Sequence, residues 1–306
     1  MGKHGWSMSI LGWALLVAVN HAALAEDKSW PAGIHFHHVH LNTTDPERAI
    51  QFYTTKFEAS KARFAGMQDA VWAYDSWILF TKVSAPPPWE LVSPIWHIGW
   101  GAEDIKATYR KQLDSGTKFY APLTKLSPDN AASEFYFAYV ESPDRALIEL
   151  NTADHHHFGH VHLLSADPVA TAEWYMKHFG ATRRGNATTP LSREPRFRGS
   201  LQIGPSVSLM CDHVNLIIYP VEYSKTAYAE QWQPGQTKLV SPRGRTIDHI
   251  GFSVSDLNAT LATFRKDGVK VTAEPRSIAN GQIKFAFIEG PDQMAIELIE
   301  DHTSKP

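Results

Sequence analysis

HHVHLNTTD (37–45), HIGWGAED (97–104), HVHLLSAD (160–167) and HIGFSVSD (249–256) are four versions of one phrase. In each, a histidine opens a short apolar run and an aspartate stands seven residues later, pairing His38 with Asp45, His97 with Asp104, His160 with Asp167 and His249 with Asp256. Histidine fills only 16 of 306 positions, so four coincidences in one register mark an internal repeat, and the repeat decides the architecture.

The segments after the four phrases are alike as well. The aspartate is placed to cap a helix, its oxygen accepting from free N–H groups of the first turn. Pro46 and Pro168 come next, at the helical position where a missing N–H costs nothing. Amphipathic helices then run through PERAIQFYTTKF, IKATYRKQLDSG, PVATAEWYMKHFG and LNATLATFRKDG, three of them reaching a glycine (Gly116, Gly180, Gly268) suited to a left-handed cap. Strand-like segments complete each repeat, such as FYFAYVE and ALIELNT in the second and IKFAFIE and MAIELIE in the fourth. The order is strand, helix and about three strands, four times. The class is α+β.

The composition, 43% hydrophobic and 20% charged, is that of a globular chain long enough for two domains. A net charge of −3 gives no reason to expect nucleic acid or an anionic membrane as partner. At the N-terminus, Lys3 and His4 precede an apolar run from Met8 to Val19, which ends in Ala23-Leu24-Ala25 before Glu26. That reads as a signal peptide spanning 1–25, hence an exported protein, periplasmic or secreted, without a membrane tie once cleaved. Cys211 is the only cysteine; it has no partner for an internal disulfide and reads as a buried, inert thiol.

The repeats close on a second signal. SPDRALIEL places Glu149 five residues after Asp144, and GPDQMAIEL places Glu297 five after Asp292. In the odd repeats the matching positions, counted from Asp75 and Asp212, are Phe80 and Ile217. Taking sequence neighbours as pairs gives two sets: His38, His97 and Glu149, then His160, His249 and Glu297. Two imidazoles and a carboxylate form a facial set that leaves positions open on a divalent metal, as catalytic sites require. A lone glutamate within an apolar strand argues the same way, because burying it unpaired is costly. His40 and His162 lie two residues beyond presumed ligands and share their face, which suits them to proton transfer or to orienting the ligands.

With these motifs in view, the chain resembles the vicinal oxygen chelate superfamily, which includes glyoxalase I, extradiol dioxygenases, fosfomycin-resistance and bleomycin-binding proteins. The resemblance spans about residues 34 to 301 and rests on the strand-opening histidines, TDPERAIQFY and ADPVATAEWY, and the two closing motifs. It implies βαβββ modules paired into two partly closed barrels. The barrels would be a first domain at 34–152 (modules one and two) and a second at 158–301 (modules three and four), each with a metal among its ligand set. A glyoxalase I-like site would take a carboxylate from both modules, which Phe80 and Ile217 do not supply. An extradiol site would add an acid–base histidine and a glycine turn before the glutamate; here Arg145 and Gln293 stand at the turn, while Tyr139 fills the tyrosine place in one half and Phe287 replaces it in the other. The implied function is metal-dependent catalysis on a small oxygenated molecule that chelates iron, manganese, zinc, nickel or cobalt, with a slight lean to dioxygenase chemistry on ligand count. The alternatives are a lyase or isomerase without oxygen chemistry and a non-catalytic binding protein.

Three segments lie outside this pattern. TRRGNATTPLSREPRFRGS (182–200) carries Arg183, Arg184, Arg193, Arg196 and Arg198; it is read first as a solvated loop, and secondarily as a clamp for a carboxylate or phosphate. His155-His156-His157 is read as an exposed linker. Trp96, of opposite strand parity to His97, is read as packing.

Overall fold

The computed structural model describes residues 33–127, 130, 132–185 and 187–306; the signal-peptide segment lies outside them. Module one comprises β1 (Ile34–Thr43), α1 (Pro46–Lys56), β2 (Ser60–Phe64), β3 (Gln68–Ala73) and β4 (Ser76–Lys82). Module two comprises β5 (Ile95–Ala102), α2 (Ile105–Asp114), β6 (Phe119–Lys125), β7 (Tyr136–Glu141) and β8 (Leu147–Thr152). Module three comprises β9 (Phe158–Ser165), α3 (Pro168–Phe179), β10 (Thr182–Arg183), β11 (Arg196–Arg198), β12 (Leu201–Gly204), β13 (Val207–Cys211) and β14 (Val214–Pro220). A short helix α4 (Val221–Ala227) leads toward module four: β15 (Ile247–Val254), α5 (Leu257–Lys266), β16 (Lys270–Ile278), β17 (Ile283–Glu289) and β18 (Ala295–Asp301).

The repeat chemistry is seen at the helix starts. Asp45, Asp104, Asp167 and Asp256 accept hydrogen bonds from Arg48, Ala107, Ala170 and Ala259 backbone N–H groups at 2.9–3.1 Å. Gly180 closes α3 in the left-handed region, at φ +65°. The turn ahead of each glutamate strand keeps its strained backbone without a glycine, with Arg145 at φ +68° and Gln293 at φ +64°.

Two eight-stranded mixed sheets curl into the two partly closed halves, in the orders β16-β17-β18-β15-β1-β4-β3-β2 and β10-β13-β14-β9-β5-β8-β7-β6. The first joins module one to module four through antiparallel β1 and β15; the second joins module two to module three through β5 and β9. The expected pairing of sequence neighbours, one with two and three with four, is therefore corrected. The limits 34–152 and 158–301 divide the sequence but not the sheets. Link length accounts for this. Only residues 153–157 separate β8 from β9, too short a stretch to leave the sheet, whereas the proline-rich 83–94 and the long 221–246 segments change sheets. A continuous apolar core, including Phe36, Ile78, Trp100, Phe158, Phe179 and Phe252, lies between the strands and helices of both halves.

Candidate metal centres

Along each pair of opening strands, an H-x-H phrase faces an H-x-G phrase. His38 pairs with Gly251 and His40 with His249; in the other sheet His160 pairs with Gly99 and His162 with His97. The glycines are spatial requirements. A Cβ on Gly251 would overlap the His38 ring, and one on Gly99 would overlap the His160 ring. The glutamate strand runs parallel on the far side of the glycine, Gly251 beside Glu297 and Gly99 beside Glu149. Each glycine thus opens a hollow across which a histidine reaches a carboxylate.

Two clusters result. His38, His40, His249 and Glu297 offer ligand atoms all within 4.8 Å of one another, and so do His97, Glu149, His160 and His162. All six residues expected as ligands lie in these clusters, but in exchanged company: His97 and Glu149 join His160, while His38 joins His249 and Glu297. The reason is the module pairing above. His40 and His162 stand within the donor sets, where they can serve coordination and proton transfer alike. Register also corrects one position. The residue of β4 equivalent to Glu149 is Leu79, beside His40 as Glu149 is beside Gly99, rather than Phe80, which packs against Tyr53 in the core; Ile217 beside His162 is as expected. Neither odd module supplies a carboxylate.

The distances within the clusters are short. His249 Nε2 lies 2.9 Å and His38 Nε2 3.5 Å from Glu297 Oε2. His97 Nε2 is 3.1 Å from Glu149 Oε2, and His160 Nε2 is 3.8 Å from Oε1. Burial lowers His38 and His160 to about 4 despite the adjacent carboxylates, and drives His40, His97 and His162 well below their ordinary value. All five imidazoles are thereby held neutral, the form that binds a metal. Burial alone would raise Glu297, but the hydrogen bond from His249 and the nearby His38 imidazole outweigh it and hold the carboxylate ionised. His38 Nε2, His40 Nδ1, His97 Nδ1, His160 Nε2 and His162 Nδ1 are buried without a hydrogen bond; at His38 Nε2 and His160 Nε2, which face the glutamates, a divalent ion would remove that cost. The residues fit a metal.

The sheet pairing breaks register just before each opening histidine, at His37, Trp96, Gly159 and Asp248. Such bulges re-aim side chains, and here they turn the preceding residue toward its histidine. His37 Nδ1 meets His38 Nδ1 at 2.7 Å, and His37 Nε2 lies 3.4 Å from Asp301 Oδ2. Asp248 Oδ1 takes a hydrogen bond from His249 Nδ1 at 2.6 Å. Trp96 packs edge-on against His97 at 4.4 Å and His162 at 5.4 Å, so it is buried packing as expected, but on the ligands' face rather than the opposite one. Gly159 leaves room for His155, which packs over Gly159 and Gly101 and stacks on His157 at 3.8 Å; only His156 of that run is exposed. Sequence reasoning missed Gly99, Gly251, His37 and Asp248, although the alternation of HVH with HIG was a signal for the glycines.

The two centres differ in their surroundings. Around the second lies a cavity of about 720 Å³ lined by Trp96, Tyr139, Glu149, His160, His162 and Tyr219 among others, within the usual range for small-molecule sites. Tyr139 pairs across from Glu149, with its ring 5.0 Å from His97, and burial keeps its phenol protonated. At the first centre Phe287 takes that place beside Glu297. Arg243 lies over the Phe287 ring at 4.2 Å and pairs with Asp248 at 3.0 Å.

The model of the Glyoxalase/Bleomycin resistance protein/Dioxygenase superfamily matches residues 35–150 and 157–298. Among curated proteins, a lactoylglutathione lyase of Haemophilus influenzae is 37% identical over 62 residues, 20% of this chain and 46% of that protein. A probable lactoylglutathione lyase of Synechocystis is 37% identical over a segment covering 20% of this chain and 47% of that protein. The matches thus span about half the length of these relatives. In fold, glyoxalase I of Zea mays superposes with a TM-score of 0.63 at 13% identity, over 87% of this chain and 92% of that one. A putative dioxygenase of Bacillus subtilis gives 0.58 at 12% identity, over 89% and 86%.

Proposed function

The chain belongs to the Glyoxalase/Bleomycin resistance protein/Dioxygenase superfamily, and on that premise we propose that it is a metal-dependent enzyme whose catalytic centre is the second-sheet set. The observation that carries the reading is that Glu149, His160 and His162 of this set line the large cavity, with His97 buried beside them. His97, His160 and Glu149 would hold a divalent transition metal. When bound, the ion supplies Lewis acidity toward two adjacent oxygens of a small substrate.

The protein's own groups do the rest. His162 stacks on His97 at 4.3 Å and faces the cavity, with Nδ1 bonded to nothing; it takes and returns the substrate's proton. Tyr139, held protonated, donates a hydrogen bond to a substrate oxygen. Trp96, Tyr219 and Tyr223 line the cavity and limit water around the reacting atoms. A base beside the donor set, together with relatives named lactoylglutathione lyase, favours isomerase or lyase chemistry over the oxygen chemistry suggested by ligand count. The first-sheet set would bind a second ion, its histidines oriented by His37 and Asp248.

Metal content, then turnover on α-hydroxyketones or thiohemiacetals with and without oxygen, tests this. Anaerobic turnover with tight metal supports it. Oxygen consumption would favour the dioxygenase reading, and bound ligand without turnover a binding protein. We also propose that 1–25 is removed on export, which the N-terminal sequence of the mature protein would check.

A further inference from the structure

The segment from β10 to β13 uses its five arginines unequally. Arg193 pairs with Asp167 and, at 3.5 Å, with Glu173. Arg183 donates to the carbonyls of Ala187 and Thr189. Arg184, Arg196 and Arg198 instead line the cavity of the second centre, where they have no carboxylate partner among the described residues. Arg196 donates to Ser206 Oγ at 2.8 Å, and Arg184 lies 3.0 Å from the Asn215 side-chain oxygen in its satisfied orientation. Both guanidinium groups are thus aimed by neutral partners that leave their charge unspent. Among the described residues, Glu149 and Asp154 are the carboxylates lining the cavity, and a metal would take up the first. At the other centre the nearby arginine, Arg243, is neutralised by Asp248.

We infer that the small molecule taken by this cavity carries an oxyanion, carboxylate or phosphate, on a planar unsaturated body. Three unpaired guanidinium groups suit the oxyanion, which each can grip by two parallel N–H donors. The walls suit the body: Trp96, Phe137, Tyr139, Tyr219 and Tyr223 present ring faces and edges around the same space. The inference deepens the function proposed above and rests on the cavity being the substrate site.

Calorimetric titration of the metal-loaded protein with benzoate, phenyl phosphate and benzyl alcohol tests it. At least one of the two anions should bind tenfold or more tighter than the neutral alcohol, and less tightly as salt is raised. Replacing Arg196 and Arg198 together by glutamine should weaken that anion tenfold or more, because it removes two charged donors from the cavity. Arg193→Gln should leave it unchanged. Equal binding of the alcohol, no anion binding, or no effect of the double replacement would overturn the inference. The preferred anion separates carboxylate from phosphate. Repeating the titration on Glu149→Gln separates the two proposals: anion binding that outlasts the metal sustains this one even where the catalytic reading fails.

Discussion

The His38 ring occupies the space that a side chain at position 251 would need. Gly251 is therefore part of the first centre without offering it an atom, and Gly99 stands in the same relation to His160. Gly251→Ala should displace the His38 ring from Glu297, and Gly99→Ala the His160 ring from Glu149. Each should release the metal of its own sheet only. Overpacking should also cost about 1–3 kcal/mol of stability, measurable by denaturant titration beside metal analysis.

Asp248 fixes the orientation of His249 through a 2.6 Å hydrogen bond. Asp248→Asn keeps the shape but loses the charge, and should weaken metal binding at the first centre by roughly 10–100-fold. Competition with a chromogenic chelator would read this, and the second centre should be unaffected.

Acid should destabilise the metal-free protein in a defined window. His38 and His160 have folded values of about 4 against 6.5 unfolded. Between those limits the unfolded chain binds more protons, so stability is full above about 6.5 and falls as pH drops toward 4. The loss is on the order of 3 kcal/mol for each histidine. His249 acts in the opposite sense, its value being raised by Asp248 and Glu297 against the effect of burial. Unfolding free energies of the metal-free protein across this range should slope downward toward acid, and less steeply in His38→Gln and His160→Gln.

Tyr139→Phe should spare the metal and lower kcat, because it removes only the phenol facing the cavity. Phe287 already occupies the equivalent place at the other centre, so the backbone accepts the change. Steady-state kinetics with metal analysis separates this from a folding defect.

The four modules, their aspartate caps and all six ligand candidates were legible in the sequence, because capping and strand alternation are local rules. Which modules share a sheet was not. That depends on whether a link such as 153–157 can span to another sheet, which module spacing alone does not say. The bulges at His37, Trp96 and Asp248 were also hidden. A bulge reverses parity from that point, so alternation placed Trp96 on the wrong face and left the partners of His38 and His249 unread. Counting from Asp75 gave Phe80 where pairing gives Leu79, since turn length sets register. The loop arginines carried no local rule at all: the same charges would suit open water.

Metal stoichiometry in two double variants bears most directly on the shared-ion geometry. If His38 and Glu297 share one ion, His38→Ala with Glu297→Ala should retain one metal per chain at the second centre. His38→Ala with Glu149→Ala should then damage both centres and retain none. The reverse outcome, none in the first and one in the second, would return His38 to the company of Glu149 and contradict the pairing of modules from opposite ends of the chain.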